Sequence, residues 1–502
     1  MRLLAFVACC AAAPGCHASP DETGALPTRS DPGWTTGAEE PCDAPIGEPR
    51  WRDASDILRA DGADIGATSN GPVALGEIEG RTWVVALDGA NTIASWTLDG
   101  EARGARTLAS HPVRLGLQDI DGDGALDLWT DGDTVEVAWS FATADEARET
   151  VTPSTQFCIG LQEMTVFDAD GDGDRDLLYP TGLGCVADDG EVPGLLLRNQ
   201  GDRTFGAPEP IDAPTGFWGE TFDVVVDDFD DDADPDAYLC NDHGPETAGN
   251  GFLFNDGSGV FAAGDPAGAD VTVYCMSASR GDLDGDGRLD LYVAALAEQL
   301  ALVATDQGYV DQAASLGLAT FSGTQMPWGS AVVDADNDGL VDVVLTTSPF
   351  TGASEDLHPM LVEHQVSPGE WALESAPWGL PQETRTRALL ARDLNADGAV
   401  DLVAADFEDT PWLLLSEGCT AGSWVEVSAP SGSRVTVEGG GRMWTALATD
   451  DPGFGATGPS VAHIGLGDVD AVDRVTLSVP WLGEQVLVGP ISARRRLAWS
   501  RP

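Results

Sequence analysis

The chain has 502 residues and not one lysine; arginine supplies all 25 of its basic side chains. A glycine-rich phosphate cradle completed by lysine is therefore absent. So are Gly-x-Ser-x-Gly, His-Glu-x-x-His and Cys-x-x-Cys, which removes the common signatures of nucleophile-elbow hydrolases, zinc peptidases and dithiol redox sites. No stretch approaches the roughly 20 apolar residues of a membrane helix, so the body of the chain reads as soluble. Positive charge is scarce: 84 acidic residues bring the formal net charge to −59, and nucleic acid and anionic headgroups should be repelled. No long unbroken acid run occurs, so the surplus reads as solubility and compositional bias. Histidine is sparse and scattered, at His17, His111, His243, His358, His364 and His463. His358 and His364 flank Glu363, but their spacing fits neither one helix face nor the usual zinc patterns, and they read as surface-loop residues.

What the chain does have is aspartate, placed by a rule. In "DIDGDGALD", residues 119–127, Asp119, Asp121, Asp123 and Asp127 stand at the first, third, fifth and ninth positions, with the Ala125 carbonyl at the seventh. If the loop curls, these oxygens converge as a hard site suited to calcium. Gly122 and Gly124 permit the curl, because glycine accepts positive φ without steric cost. The loop returns five times. Asp168, Asp170, Asp172 and Asp176 join the Asp174 carbonyl, and Asp228, Asp230, Asp232 and Asp236 join that of Asp234. Asp282, Asp284, Asp286 and Asp290 join Arg288; Asp334, Asp336, Asp338 and Asp342 join Leu340; Asp393, Asn395, Asp397 and Asp401 join Ala399. Ala233 stands where the other loops have glycine, which makes the third loop the least certain to bend. Calcium, about five or six ions, is the expected cofactor.

An EF-hand loop begins alike but needs a bidentate glutamate at position twelve and flanking helices. Position twelve is Thr130, Tyr179, Leu239, Val293, Leu345 and Ala404 in turn, none of them acidic. Short apolar and β-branched runs instead flank each loop, such as "FDVVV" before and "LDLYVAAL" after, so the loop should close a β-hairpin. The loops recur every 49 to 60 residues, a period that fits a four-stranded propeller blade.

These residues resemble the FG-GAP or VCBS repeat of integrin α-chain propellers and their bacterial relatives. "NQGDRTF" (199–205) and "NDGSGVF" (255–261) are similar to that family's Asn-x-Gly-x-Gly-x-Phe turn, and "PWGSAVVDADNDG" to its Trp-Gly lead-in. A seventh unit is visible in "VALGEIEGRTWVVAL" (73–87), where Glu77 and Glu79 take the first two ligand positions but Arg81 and Val85 take the fifth and ninth, so it should bind no metal. The resemblance implies an all-β chain, a seven-bladed propeller with calcium loops over residues 55–418. Arg280, Gly281 and Asp282 spell an integrin-binding tripeptide, yet Asp282 opens a calcium loop and is not free to serve a receptor.

Residues 1–16 resemble a bacterial secretory signal with a lipobox ending at Cys16, the candidate lipidated residue. Ordinary export with cleavage nearby is the alternative; either way the expected location is extracytoplasmic, as an outer-membrane or cell-surface lipoprotein or a secreted protein. Residues 17–54 show no apolar period and read as a flexible tether. Six cysteines follow the signal, an even number for an oxidising compartment. Cys158 with Cys185 and Cys240 with Cys275 would make local bridges, leaving Cys42 and Cys419 to staple the ring; six cysteines nonetheless permit 15 pairings.

From Cys419 the metal motif stops. "GSRVTVEGGGR" (432–442) and "HIGLGDVDAVDRVTL" (463–477) resemble the ASPIC/UnbV domain of the cartilage acidic protein family, which implies a small β-sandwich-like domain over 419–502. "YVDQAASLGL" (309–318) is similar to that family too. The order Pro480-Trp481-Leu482-Gly483 departs from its Trp-Pro-Ser-Gly, and His463 reads as structural. The functional expectation is a monomeric extracellular binding or adhesion module for a protein or glycan, with calcium structural and a membrane link only through the lipid. A polysaccharide lyase or hydrolase on a propeller scaffold is the alternative, since a carboxylate pair would be hidden among so many.

Overall fold

The computed structural model describes residues 33–39, 50–62, 72–78, 81–87, 92–107, 114–131, 135–141, 147–151, 164–180, 192–264, 266–296, 298–318, 326–349, 357–406, 410–416 and 422–500. Residues 1–16, read as an export signal ending at Cys16, and Cys42, Cys158, Cys185 and Cys419 lie outside the described residues. Within them strand is the dominant regular structure and helix is nearly absent, and no helix is long and apolar enough to cross a membrane.

Seven sheets follow one another along the chain, each with an antiparallel up-and-down core of strands. They span residues 73–107 (sheet I), 114–151 (II), 165–210 (III), 220–264 (IV), 275–311 (V), 326–374 (VI) and 386–416 (VII). Each sheet packs on the next through its own apolar cluster. Val225, Tyr238 and Phe252 of sheet IV meet Ala278, Leu291 and Val293 of sheet V, for example. The circle closes because Val403 and Leu413 of sheet VII share a cluster with Val73, Val84 and Trp96 of sheet I. Strands buried on both faces explain the near-continuous apolar runs in the sequence. The result is a β-propeller, as the repeat implied.

The chain upstream differs from the expectation of a tether. Strand β1 (Trp34–Glu39) pairs with Arg495–Trp499 near the C-terminus. Strand β2 (Trp51–Asp53) pairs with Trp412–Ser416 and completes sheet VII, so the ring is closed by a strand that lies before residue 55. Trp51 anchors it: the indole is buried and donates to the Val400 carbonyl at 2.8 Å. Both strands are too short to show a period, and their partners lie more than 350 residues away.

Residues 423–499 fold with β1 into two four-stranded sheets around one apolar core that includes Val425, Val437, Val475 and Trp499. This sandwich sits on the propeller, and its loop between Arg442–Ala448 and Val461–Gly467 enters the centre of the ring. There Phe454 joins Phe222, Met276, Met326 and Trp328 in a cluster fed by the inner strands of sheets IV, V and VI. Arg114 of sheet II covers the Phe454 ring at 4.8 Å. Ala456 and Thr457 pair in parallel with Val73 and Ala74 of sheet I, Thr457 Oγ1 accepts the Leu117 amide of sheet II, and the Thr165 hydroxyl of sheet III donates to Asp451 at 2.8 Å. The central channel is thus filled by the chain itself.

Cys240 and Cys275 are disulfide-bonded and tie sheet IV to sheet V, one of the two local bridges expected from the sequence.

Candidate metal centres

All six acidic loops join the first and second strands of their sheets, II to VII, and so lie on one face of the ring. A common hydrogen-bond pattern holds each. One oxygen of the first aspartate accepts the amide of the sixth residue, as in Asp119–Gly124 (3.0 Å), Asp228–Ala233 (3.0 Å) and Asp393–Gly398 (2.7 Å). The fifth aspartate accepts the amide of the seventh, as in Asp123–Ala125 and Asp338–Leu340, both 2.8 Å. The sixth residue is left-handed throughout, φ +86° at Gly124 and +74° at Ala233. Ala233 therefore takes the same bend as the glycines, at the cost that a Cβ carries there, and the third loop closes like the others.

The ninth aspartate does more than its sequence position suggested. Asp127, Asp176, Asp236, Asp290, Asp342 and Asp401 are all buried. Each accepts the amide of the loop's second residue with one oxygen, Ile120 at 2.9 Å for Asp127 and Phe229 at 2.9 Å for Asp236. The other oxygen takes an amide at or next to the third strand, Ser140 at 2.6 Å and Asn255 at 2.8 Å. It is a brace between loop and sheet as well as a candidate ligand.

Carboxylate oxygens of the first, third and ninth residues gather within 4.8 Å of one another in the groups Asp119–Asp121–Asp127, Asp168–Asp170–Asp176, Asp228–Asp230–Asp236 and Asp282–Asp284–Asp290. The fifth-position Asp123, Asp172, Asp232 and Asp286 are exposed beside these groups. A fifth group joins Asp336 and Asp338 to His364, a residue the sequence reading left in a surface loop. His364 lies on the third strand of sheet VI, one residue before Gln365, whose amide braces Asp342 at 3.0 Å. Arg198 holds the equivalent place in sheet III, one before Asn199, and bonds Asp170 at 2.6 Å. That position, just before the residue bracing the ninth aspartate, was the signal available. His358 is elsewhere, in a bridge with Thr384.

Burial dominates the electrostatics. It pushes the Asp127 carboxyl up to about 6 and those of Asp176, Asp236 and Asp290 up to about 7, with like-charged loop neighbours adding to the effect against the bracing amides. The first-position Asp228 and Asp282 are pushed up to about 6, again first by burial. Among these carboxylates Asp119 Oδ1 and Asp170 Oδ1 are buried without any hydrogen-bond partner. Buried, crowded, partly orphaned carboxylate oxygens fit a hard divalent cation, whose charge would offset the repulsion.

The remaining sequence candidates fall into place around these loops. Arg280 is buried on Asp227 at 2.6 Å, so the tripeptide at 280–282 is not presented. His463 bonds Asn337 Oδ1 at 2.7 Å and stacks on Trp424, a packing role. Glu77 lies exposed on its strand, and Ile78 pairs with Arg81, so no nine-residue acidic loop separates these two strands.

The sandwich covers much of the acidic face. Trp481 donates to the Asp168 carbonyl, Trp444 to that of Gly339, and Arg434 to that of Asp228. Asn337 Oδ1 and its carbonyl meet His463 and the Gly467 amide. At Gly465 there is no room for a Cβ against Asp334.

Comparison with known proteins agrees with this architecture in one stretch. A family model described as an FG-GAP-like repeat matches residues 228–293, two of the six loops. No curated protein matches. Similar solved structures include BBS1N from its complex with ARL6DN, at 11% identity and TM-score 0.47, over 74% of this chain and 98% of that one. YCF48 from Cyanidioschyzon merolae is similar at 10% identity and TM-score 0.41, over 70% and 98%. A lectin of Agrocybe aegerita, solved for its recognition of non-reducing terminal N-acetylglucosamine, is similar at 15% identity and TM-score 0.38, over 64% and 81%.

Proposed function

We propose that this chain is an exported, calcium-stapled, seven-bladed propeller that binds an extracellular protein or glycan and carries out no catalysis itself. The observation that carries the reading is a loop that recurs six times, with first, third and ninth carboxylates gathered together in four of its copies and two buried carboxylate oxygens that lack a protein partner. Calcium, when bound, supplies the positive charge that lets those carboxylates stay ionised in a buried site. First, third and ninth aspartates would hold it. The ninth aspartate transmits that hold to the sheet, because the same carboxylate fixes two backbone amides. Metal binding becomes folding free energy for each hairpin.

The sandwich, which we identify with the ASPIC/UnbV domain, occupies the acidic face, and its Phe454 loop fills the channel. A partner is therefore assigned to the opposite face and the outer strands, where loops carry specificity. Lipidation at Cys16 would place the module on the cell surface. The test is elemental analysis of the purified mature chain, with thermal unfolding before and after chelation. Bound calcium and a melting temperature lowered by about 10 °C or more on chelation support the proposal; no calcium and no shift overturn it. Glycan arrays and crosslinking to envelope proteins would then identify the ligand.

A further inference from the structure

The six loops share one backbone but differ in what faces their carboxylates. In four of them a guanidinium from outside the loop bonds a first- or third-position aspartate. Arg203 Nε reaches Asp121 at 2.6 Å and Arg198 Nη1 reaches Asp170 at 2.6 Å, both from sheet III. Arg50, beside the ring-closing strand, reaches Asp336 at 3.0 Å, and Arg496 of the sandwich reaches Asp393 at 2.5 Å. In loops 228–236 and 282–290 no guanidinium bonds the first, third or ninth carboxylate among the described residues. Arg434 bonds Asp231 and the Asp228 carbonyl instead, and Arg288 bonds Asp286 and Asp306.

We propose that the loops form two classes of cation site, with calcium held tightly at 228–236 and 282–290 and weakly at the other four, where arginine competes for the same carboxylates. This rests on the calcium reading above. A carboxylate shared with a guanidinium offers a divalent ion less charge, and the arginine's own charge repels the ion at close range. Calcium affinity follows the net ligand charge of a site, so identical loops need not bind alike. Arg50 and Arg496 hold the loops of sheets VI and VII to the ring-closing segment and the sandwich, so ion and arginine are alternative staples there. The FG-GAP-like match over 228–293 encloses just the two loops of the tight class.

The test is a calcium titration of the full mature chain after chelator removal, by calorimetry and by equilibrium dialysis with elemental analysis. Two ions should be retained at calcium concentrations at least about tenfold below those that fill the remaining sites. Arg198→Met and Arg203→Met should each raise the number of tightly held ions by one. Arg198→Gln and Arg203→Gln, which keep a hydrogen-bonding group without the charge, should do the same and replace the methionine variants if those misfold. Six equivalent sites would overturn the inference. Weaker binding in the neutral variants would overturn it too, by making the arginines partners that orient the carboxylates for the ion. Absence of any bound calcium would instead defeat the calcium reading itself, and this inference with it.

Discussion

Sheet I and sheets II to VII are the same structural unit built with and without an acidic loop. In sheet I Ile78 pairs directly with Arg81, the strands Val73–Ile78, Arg81–Leu87 and Thr92–Thr97 are as buried as those of the other sheets, and the sheet packs on both neighbours. The loop is therefore not what makes a sheet of this ring. What sheet I has instead is a fifth strand, Ala456–Thr457, delivered by the sandwich. Six sheets carry charge that calls for an ion, and the seventh is held by the chain's own C-terminal loop.

The largest way to break that contrast is Phe454→Ala. The ring fills an aromatic pocket with Phe222 and Trp328, centroids 6.1 and 5.5 Å away, so its loss should cost about 3 to 5 kcal/mol. Denaturant unfolding would read the cost, and hydrogen exchange should show Val73–Ile78 loosening more than the first strand of any sheet with an acidic loop.

Asp236→Ala should cost about 2 to 5 kcal/mol, because the Phe229 and Asn255 amides lose their buried acceptor. Glu77→Ala, an exposed acid in sheet I, should stay within about 0.5 kcal/mol. Equal effects in the two variants would erase the distinction between the sheets.

The contrast sharpens with pH in calcium-free protein. Asp127 is pushed up to about 6 and Asp176, Asp236 and Asp290 up to about 7 by burial, against about 4 for an unfolded aspartate. The folded chain then keeps protons that the unfolded chain gives up. The stability these groups confer is full below about pH 4 and is lost as pH rises through 6 to 7. Urea midpoints should fall between pH 5 and 8 without calcium. Saturating calcium, which favours the charged carboxylates, should flatten or reverse that trend.

The loops were legible in the sequence because each packs its whole signal into nine residues. The strands around them were legible because burial on both faces leaves unbroken apolar runs such as "LYVAAL". The ring's closure was not. Trp34 pairs with Trp499 and Trp51 with Ser416, and strands of three to six residues in a Pro- and Gly-rich stretch show no period of their own. The channel-filling loop was equally hidden, since "DDPGFGATG" reads as a turn until seven inner strands surround it. At the loops, the spacing named the ninth aspartate as a ligand but not as a brace, a role visible only when Asn255 or Ser140 arrives from another strand. The arginines were missed for the same reason: Arg203 and Asp121 are neighbours across two sheets.

The most direct measurement is amide hydrogen exchange of the chain with and without calcium, resolved by peptide. Calcium should protect the six loops from Asp119 to Asp401 and leave the strands Val73–Ile78 and Arg81–Leu87 of sheet I unchanged. Protection spread equally over all seven sheets, or none at the loops, would contradict the account.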